Sequence, residues 1–427
     1  MYYIIVILAG LMLFSFWLSY KDIFSVVFIL FVGYFIAAIS ALYNALAWGL
    51  TIQPKLIMIL SVGWFFALIA ECFARYIFYH GVNKVIDQPH DVSIIQISYL
   101  KILFIITVNM VVTLVLIKEL QRIGGGSLLA GTLASGYKQH QYEMQMSGTV
   151  TQIAKVTKGS AFVLGFVGIN NIVANRRESR LKSFMLFVPG ALYCVQSIFR
   201  GGRYTVIAYL LGMAFFYYYL MQYKSGWKYQ MKFGRLVKIL LAAVLIVFGF
   251  WAIRFFVGRT DESGLIDYIT RYLGGPYALF NLYLKNPPEK KIETFAYLME
   301  SINKIFGTNI ATRTYPEFRF SNTGIMVGNV YSGMRTYYND FGLIGVAAFS
   351  FLFSFILNMI YMRIISYKNI YSHMFLPIFY ASVIYAAFFH FFAEYFFARF
   401  SVGYVVEVLI MYLIYIFVFK IRFVISR

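Results

Sequence analysis

Two arginines separated only by glycines, Arg200-Gly201-Gly202-Arg203, are the first residues in this sequence whose spacing suggests chemistry. Each guanidinium offers a planar fork of donors that matches phosphate oxygens two at a time. The glycines leave the backbone open to close approach. If Arg203 opens a helix, orphan N–H groups at that helix start would add to an anion site. A tight turn whose arginines touch lipid headgroups is the structural alternative. A second group runs from Gly328 to Gly342 and holds Tyr331, Arg335 and Asp340. Asp340 is placed to cap a following helix. Arg335 sits near a helix start, against the helix dipole. That cost asks for a partner, either an anion or Asp340 itself. A third group is His390 and Glu394, one helical turn apart near the end of an apolar run. They suit an acid/base pair, or a polar pair that locks two helices together. Arg399 follows in the next loop. Glu71 and Arg75 have the same spacing in an earlier run and read as a structural ion pair.

The elements that must hold these residues are membrane helices. Hydrophobic residues make up 61% of the 427 and charged residues only 13%, and the mean hydropathy is +0.73. A soluble domain is nearer half apolar and a quarter charged. The long runs are continuously apolar rather than alternating, which selects helices over a barrel. Eleven spans are expected, at roughly 2–20, 23–43, 56–79, 99–117, 160–174, 183–198, 204–222, 236–256, 339–362, 373–393 and 403–420. Residues 2–20 lack a basic n-region and a small-residue cleavage site, so they read as a retained first helix. The fold class is therefore an all-α polytopic membrane protein, with residues 1–427 forming a single transmembrane domain.

The chain carries a net charge of +20, from 37 basic and 17 acidic residues. No base-reading motif accompanies it, so nucleic acid is excluded as a partner. Basic residues instead mark cytoplasmic loops and attract anionic lipid or phosphate. Arg176, Arg177, Arg180 and Lys182, then Lys224, Lys228, Lys232 and Arg235, then Arg363 and Lys368, and finally Lys420, Arg422 and Arg427 fall on one side of the expected spans. The N-terminus then lies outside and the C-terminus inside. Residues 118–159 conflict with this, because Lys118, Arg122, Lys138, Lys155 and Lys158 fall on the outer side; a missed or re-entrant segment would resolve it.

Residues 257–338 form the largest non-spanning piece and are placed on the outer face. Ile292, Phe295, Met299, Ile302 and Phe306 share one helical stripe. Leu265, Ile269, Tyr272 and Leu273 make another, broken by Gly274-Gly275-Pro276. Short amphipathic helices, packed over the bundle or resting on the membrane, are expected here. Cys72 and Cys194 lie in apolar runs and form no disulfide framework. No Walker loop, outer Asp-x-Asp pair or histidine ligand set is present, so no metal or other cofactor is implied.

The Arg-Gly-Gly-Arg at a helix start resembles the arginine-glycine motif of bacterial oligosaccharide repeat-unit polymerases, the O-antigen polymerase family. The run from Asn329-Val330-Tyr331 through Asp340-Phe341-Gly342-Leu343-Ile344-Gly345 is similar to that family's segment closing the large periplasmic loop. The likeness covers the chain from about residue 160 onward; the first third matches in hydropathy only. It implies a GT-C-like membrane glycosyltransferase of the bacterial inner membrane with its active site facing the periplasm. Such an enzyme transfers a growing glycan from undecaprenyl diphosphate to the next lipid-linked unit. A flippase and a chain-length regulator are the implied protein partners. Arg200, Arg203 and Arg335 would stabilise the leaving diphosphate. His390, Glu394 or Asp340 would accept the proton of the acceptor hydroxyl. Arg313 and Arg319 would contact diphosphate or sugar, and Tyr315, Phe318, Phe320 and Tyr331 would stack on sugar faces. An O-antigen ligase, a flippase or other transporter, and a non-catalytic export scaffold are the alternatives. A polymerase makes a ladder without lipid A core, whereas a ligase does not.

Overall fold

A computed structural model describes residues 1–83, 85, 88–124, 130–140, 144, 146–174, 179–229, 248–249, 251–252 and 264–421. In chain order the helices are α1 (Tyr2–Leu18), α2 (Val26–Tyr43), α3 (Pro54–Asn83), α4 (Tyr99–Gly124), α5 (Ala130–His140), α6 (Gly148–Val173), α7 (Arg180–Met185), α8 (Val188–Phe199), α9 (Tyr204–Ser225), α10 (Leu265–Lys285) and α11 (Ala296–Phe306). A two-residue strand β1 (Arg319–Phe320) pairs antiparallel with β2 (Met326–Gly328). Then come α12 (Gly333–Ile365), α13 (Phe375–Ala381), α14 (Tyr385–Phe388) and α15 (Val402–Phe419).

Eight segments among the described residues are long and apolar enough to cross a membrane: α2, α3, α4, α6, Arg180–Phe199, α9, α12 and α15. Tyr2–Leu18 and Phe375–Phe391 are shorter apolar segments. The chain is therefore an all-α, multi-pass membrane protein. Most of the expected span at 236–256 lies outside the described residues. So do Arg176, Arg177, Lys232, Arg235, Arg422 and Arg427, and the first residues of the outer loop expected at 257–338.

The chain divides into two compact units, each assembled from three separate stretches. The first comprises Met1–Lys84, Ser263–Lys368 and Val383–Val402. Its frame is α3 against α12 and α2 against α10. The glycine-proline run expected to break the 265–285 region lies inside α10 instead. A Cβ on Gly274 would meet the Ala41 backbone nitrogen at 2.5 Å. The missing side chain lets α10 press directly on α2, as small residues do where membrane helices touch. The stripe expected from 289 becomes helical only at Ala296, because Ile292 bridges to Thr312 beforehand. Inside α12, Gly342 has φ +63° and separates residues 333–341 from the apolar stretch 343–365. Only glycine takes that conformation without strain.

In this unit Glu71 and Arg75 form the expected ion pair, at 2.6 Å. Ser15 and Ser25 hydroxyls also donate to the Glu71 carboxylate. A buried carboxylate needs such partners.

The second unit comprises Val85–Glu262, Asn369–Ser382 and Gly403–Arg427. Here α4, α6, α8 and α9 pack together. The fifth expected span, placed at 160–174, begins much earlier, at Gly148. Lys155 and Lys158 made that stretch look like loop. Both are accommodated inside the helix. Lys158 Nζ pairs with Glu407 Oε1 of α15 at 2.6 Å. Lys155 Nζ donates to Gln152 Oε1 and to the Gly403 carbonyl. Lys158 and Glu407 thus neutralise each other within the bundle.

Candidate functional site

The residues singled out from the sequence fall into both units. Arg313, Tyr315, Arg319, Tyr331, Arg335, Asp340, His390 and Glu394 belong to the first, and Arg200 and Arg203 to the second.

In the first unit, Ser332 caps α12, its hydroxyl accepting from Met334 N–H at 3.3 Å. That start places Arg335 in the opening turn, where the helix dipole disfavours a cation. Arg335 is 0% exposed. Its Nη1 lies 3.0 Å from Glu293 Oε2 and its Nη2 3.3 Å from Glu317 Oε2. The guanidinium also faces Tyr283 at 4.6 Å and Tyr331 at 4.3 Å from the ring centroids. Two carboxylates and two ring faces offset both the dipole and the burial. The partner of Arg335 is therefore neither Asp340 nor a free anion.

The other loop arginines close the same knot. Arg313 Nη1 reaches Glu293 Oε1 at 2.9 Å. Arg319 holds Glu317 Oε1 with Nε at 2.9 Å and Nη2 at 2.8 Å. It also donates to the carbonyls of Leu282 and Asn286, where a cation suits the C-terminal end of α10. Tyr331 donates its hydroxyl to the Glu317 carbonyl at 3.0 Å. Tyr315, Phe318 and Phe320 are exposed. Burial pushes the Glu293 carboxyl up to about 7, against the opposing pull of Arg335 and Arg313. Burial also resists ionisation of Glu317, but Arg335 and Arg319 outweigh it and hold that carboxyl below its usual range.

Asp340 does not cap the membrane stretch of α12. Its carboxylate accepts from the backbone N–H groups of Glu293 and Thr294, at 3.1 and 2.7 Å, and from Asn339 Nδ2 at 2.8 Å. It thereby fixes the segment that presents Glu293.

His390 and Glu394 do not share a helix face. Residues 389–391 make a single 3-10 turn, and Glu394 lies beyond it. Tyr337 joins them: its hydroxyl donates to Glu394 Oε1 at 3.1 Å and lies 3.3 Å from His390 Nε2. His390 Nδ1 meets the Tyr34 hydroxyl at 2.9 Å, and Tyr34 meets Ser332 Oγ at 2.7 Å. The result is a buried chain of hydroxyls and imidazole, Ser332–Tyr34–His390–Tyr337–Glu394. Glu394 ends it by accepting the N–H groups of Phe396, Phe397 and Ala398.

In the second unit the Arg-Gly-Gly-Arg turn closes α8 and opens α9. Gly201 N–H bonds to the Ile198 carbonyl and Gly202 N–H to that of Ser197, both at 2.8 Å. This is a Schellman closure, with Gly201 at φ +70°. One turn earlier, Gln196 Nε2 donates to Thr113 and Thr157 hydroxyls and pins α8 to α4 and α6. The turn therefore sits on a rigid base. Arg203 is the residue before α9, and only 6% exposed. Neither arginine is a freely solvated headgroup contact.

Arg200 is the chemically unusual one. Its Nη2 reaches the Met146 thioether at 3.4 Å. Its Nε is buried and has no hydrogen-bond acceptor. Among the described residues no carboxylate forms an ion pair with it. The nearby Lys155 adds further positive charge. Burial pulls the Arg200 guanidinium below its ordinary value.

The carboxylates Glu293 and Glu317, which organise the first cluster, were not anticipated from the sequence. Arg313 and Glu317 stand one helical turn apart in number, but the segment is not helical, and Glu293 has no local spacing to any of its partners.

Comparison with known proteins gives no match: no family model, no curated protein and no solved structure resembles the chain.

Proposed function

We propose that this protein is a metal-independent membrane glycosyltransferase that polymerises lipid-linked oligosaccharide repeat units. The donor is a glycan on undecaprenyl diphosphate, and the acceptor is the terminal sugar of the next lipid-linked unit. The reaction takes place at the periplasmic face of the bacterial inner membrane. The bond from the donor's anomeric carbon to the diphosphate oxygen breaks, and its electron pair leaves with the diphosphate. A new bond forms from that carbon to the acceptor hydroxyl oxygen, whose proton passes to a base.

One observation carries the reading. Arg200 is a partly buried guanidinium whose Nε has no acceptor and which, unlike Arg335, has no carboxylate partner among the described residues. A cation in such a place is costly unless an anion completes it. A diphosphate leaving group is such an anion, and fixed cations lower the barrier to its departure. Arg203 serves beside it on the same turn. Arg335, Arg313 and Arg319 take a different role, holding the outer loop through Glu293 and Glu317. Of the three expected bases, Asp340 and Glu394 are committed to backbone N–H groups. His390 has both ring nitrogens engaged by tyrosine hydroxyls.

The test is polymerisation in membranes of a strain lacking its own polymerase and supplied with the matching repeat unit. Wild type is compared with Arg200→Ala and Arg200→Lys at equal protein level. A glycan ladder from wild type and none from Arg200→Ala supports the proposal. A full ladder from Arg200→Ala removes the diphosphate assignment. No ladder from wild type removes the polymerase itself, and glycan found on lipid A core instead identifies a ligase.

A further inference from the structure

The first unit contains a cavity of about 400 Å³, lined in part by Lys55, Tyr283, Lys290, Tyr338, Asn339 and Gly342. Its size falls in the range of small-ligand sites. No carboxylate lines it. Lys55 and Lys290 bring two ammonium groups, and neither takes part in an ion pair among the described residues. Tyr283, Tyr338 and the Pro287-Pro288 pair supply flat apolar surface. Lys55 Nζ lies 5.4 Å from the Tyr338 ring centroid, so one charge already stands over one aromatic face.

The walls are held from behind. Tyr283 also presses on the Arg335 guanidinium, and its hydroxyl donates to Asn339 Oδ1 at 3.1 Å. Asn339 Nδ2 is itself tied to the Lys291 carbonyl and to Asp340. The salt-bridge knot thus fixes one aromatic wall and one amide of the cavity. The left-handed Gly342 keeps another wall bare, since a Cβ there would meet nothing within 4 Å. Rings and prolines suit the apolar face of a sugar, and the two lysines suit a negative charge at the sugar's edge.

We infer that this cavity binds a sugar residue bearing a carboxylate or a phosphate, and so selects acidic glycan units. The choice of a glycan rests on the proposed function, but binding here requires no transfer reaction.

The full chain in nanodiscs is titrated with methyl β-D-glucuronide, methyl β-D-glucoside 6-phosphate and neutral methyl β-D-glucoside, followed by saturation-transfer NMR. Wild type binds at least one acidic probe about tenfold more tightly than the neutral one, equivalent to about 1.4 kcal/mol. The arm that binds identifies carboxylate or phosphate as the charge. Lys55→Gln and Lys290→Gln each narrow the preference while the melting temperature stays unchanged, and Tyr338→Ala weakens all three probes. Equal binding of neutral and acidic sugars, or none by any, overturns the inference. Inorganic phosphate displacing the acidic probe at equal concentration also overturns it, since the site then reads charge and not sugar. Acidic-sugar binding that persists when the polymerisation assay fails leaves the cavity standing and the transferase reading fallen.

Discussion

Arg335 and Arg200 are both arginines at helix ends, the first buried and the second partly so, yet their surroundings are opposite. Arg335 has two carboxylates, two tyrosine faces and no exposed surface. Arg200 has a thioether and a neighbouring lysine, while an Nε without an acceptor is common to both arginines. The first guanidinium is neutralised by two carboxylates and holds architecture together. The second lacks such counter-charges, and the proposed diphosphate role rests on that lack. A motif search sees the same residue type in both places; only the counter-charges separate a strut from a binding group.

The largest effect expected from this contrast is on stability. Arg335→Ala leaves Glu293 and Glu317 facing each other's field without their shared cation, a loss of about 3–5 kcal/mol. Thermal melting in detergent checks it; an unchanged melting temperature would erase the contrast. Arg200→Met should go the other way, keeping or raising the melting temperature while the glycan ladder falls by about 100-fold or more. A parallel loss of stability and activity would mean that Arg200 too is architecture.

Titration sharpens the comparison further. Glu293 holds its proton up to about 7 when folded, against an ordinary 4.5. The folded state therefore binds that proton more tightly than the unfolded chain does. The stabilisation is full below 4.5 and is lost as pH rises to about 7. Melting temperatures of wild type and Glu293→Gln should diverge across this window and run parallel above it. Parallel curves throughout would show that the two guanidiniums outweigh the burial. The smallest effect is that of Tyr283→Leu, which removes one face of the Arg335 sandwich and costs about 1 kcal/mol.

The membrane helices were legible because a continuous apolar run has few other fates. Misreadings arose where a polar residue has a distant partner. Lys155 and Lys158 shortened α6 on paper because Glu407 and the Gly403 carbonyl lie at the other end of the chain. Gly274-Gly275-Pro276 read as a break because local propensity favours one, whereas the α2 backbone fills the place of the missing side chain. The helix start at Arg203 was visible in the sequence. The carboxylates that claim Arg335 were not, since loop geometry alone brings them to it.

The three-stretch build of the first unit has a consequence for how the protein is made. Glu71 finds Ser15, Ser25 and Arg75 within the first stretch, so it is satisfied as soon as that stretch is inserted. Tyr34 and Asp22 are different. Tyr34 must wait for Ser332 and His390, and Asp22 for Tyr361. At roughly 5–20 residues per second, on the order of ten seconds or more separate the first stretch from the start of the next. During that interval an early hydroxyl stands in lipid without its final partners, a costly position. The ribosome thus delivers the polar spine of this unit in instalments, and the stretch bearing His390 is the one that closes it.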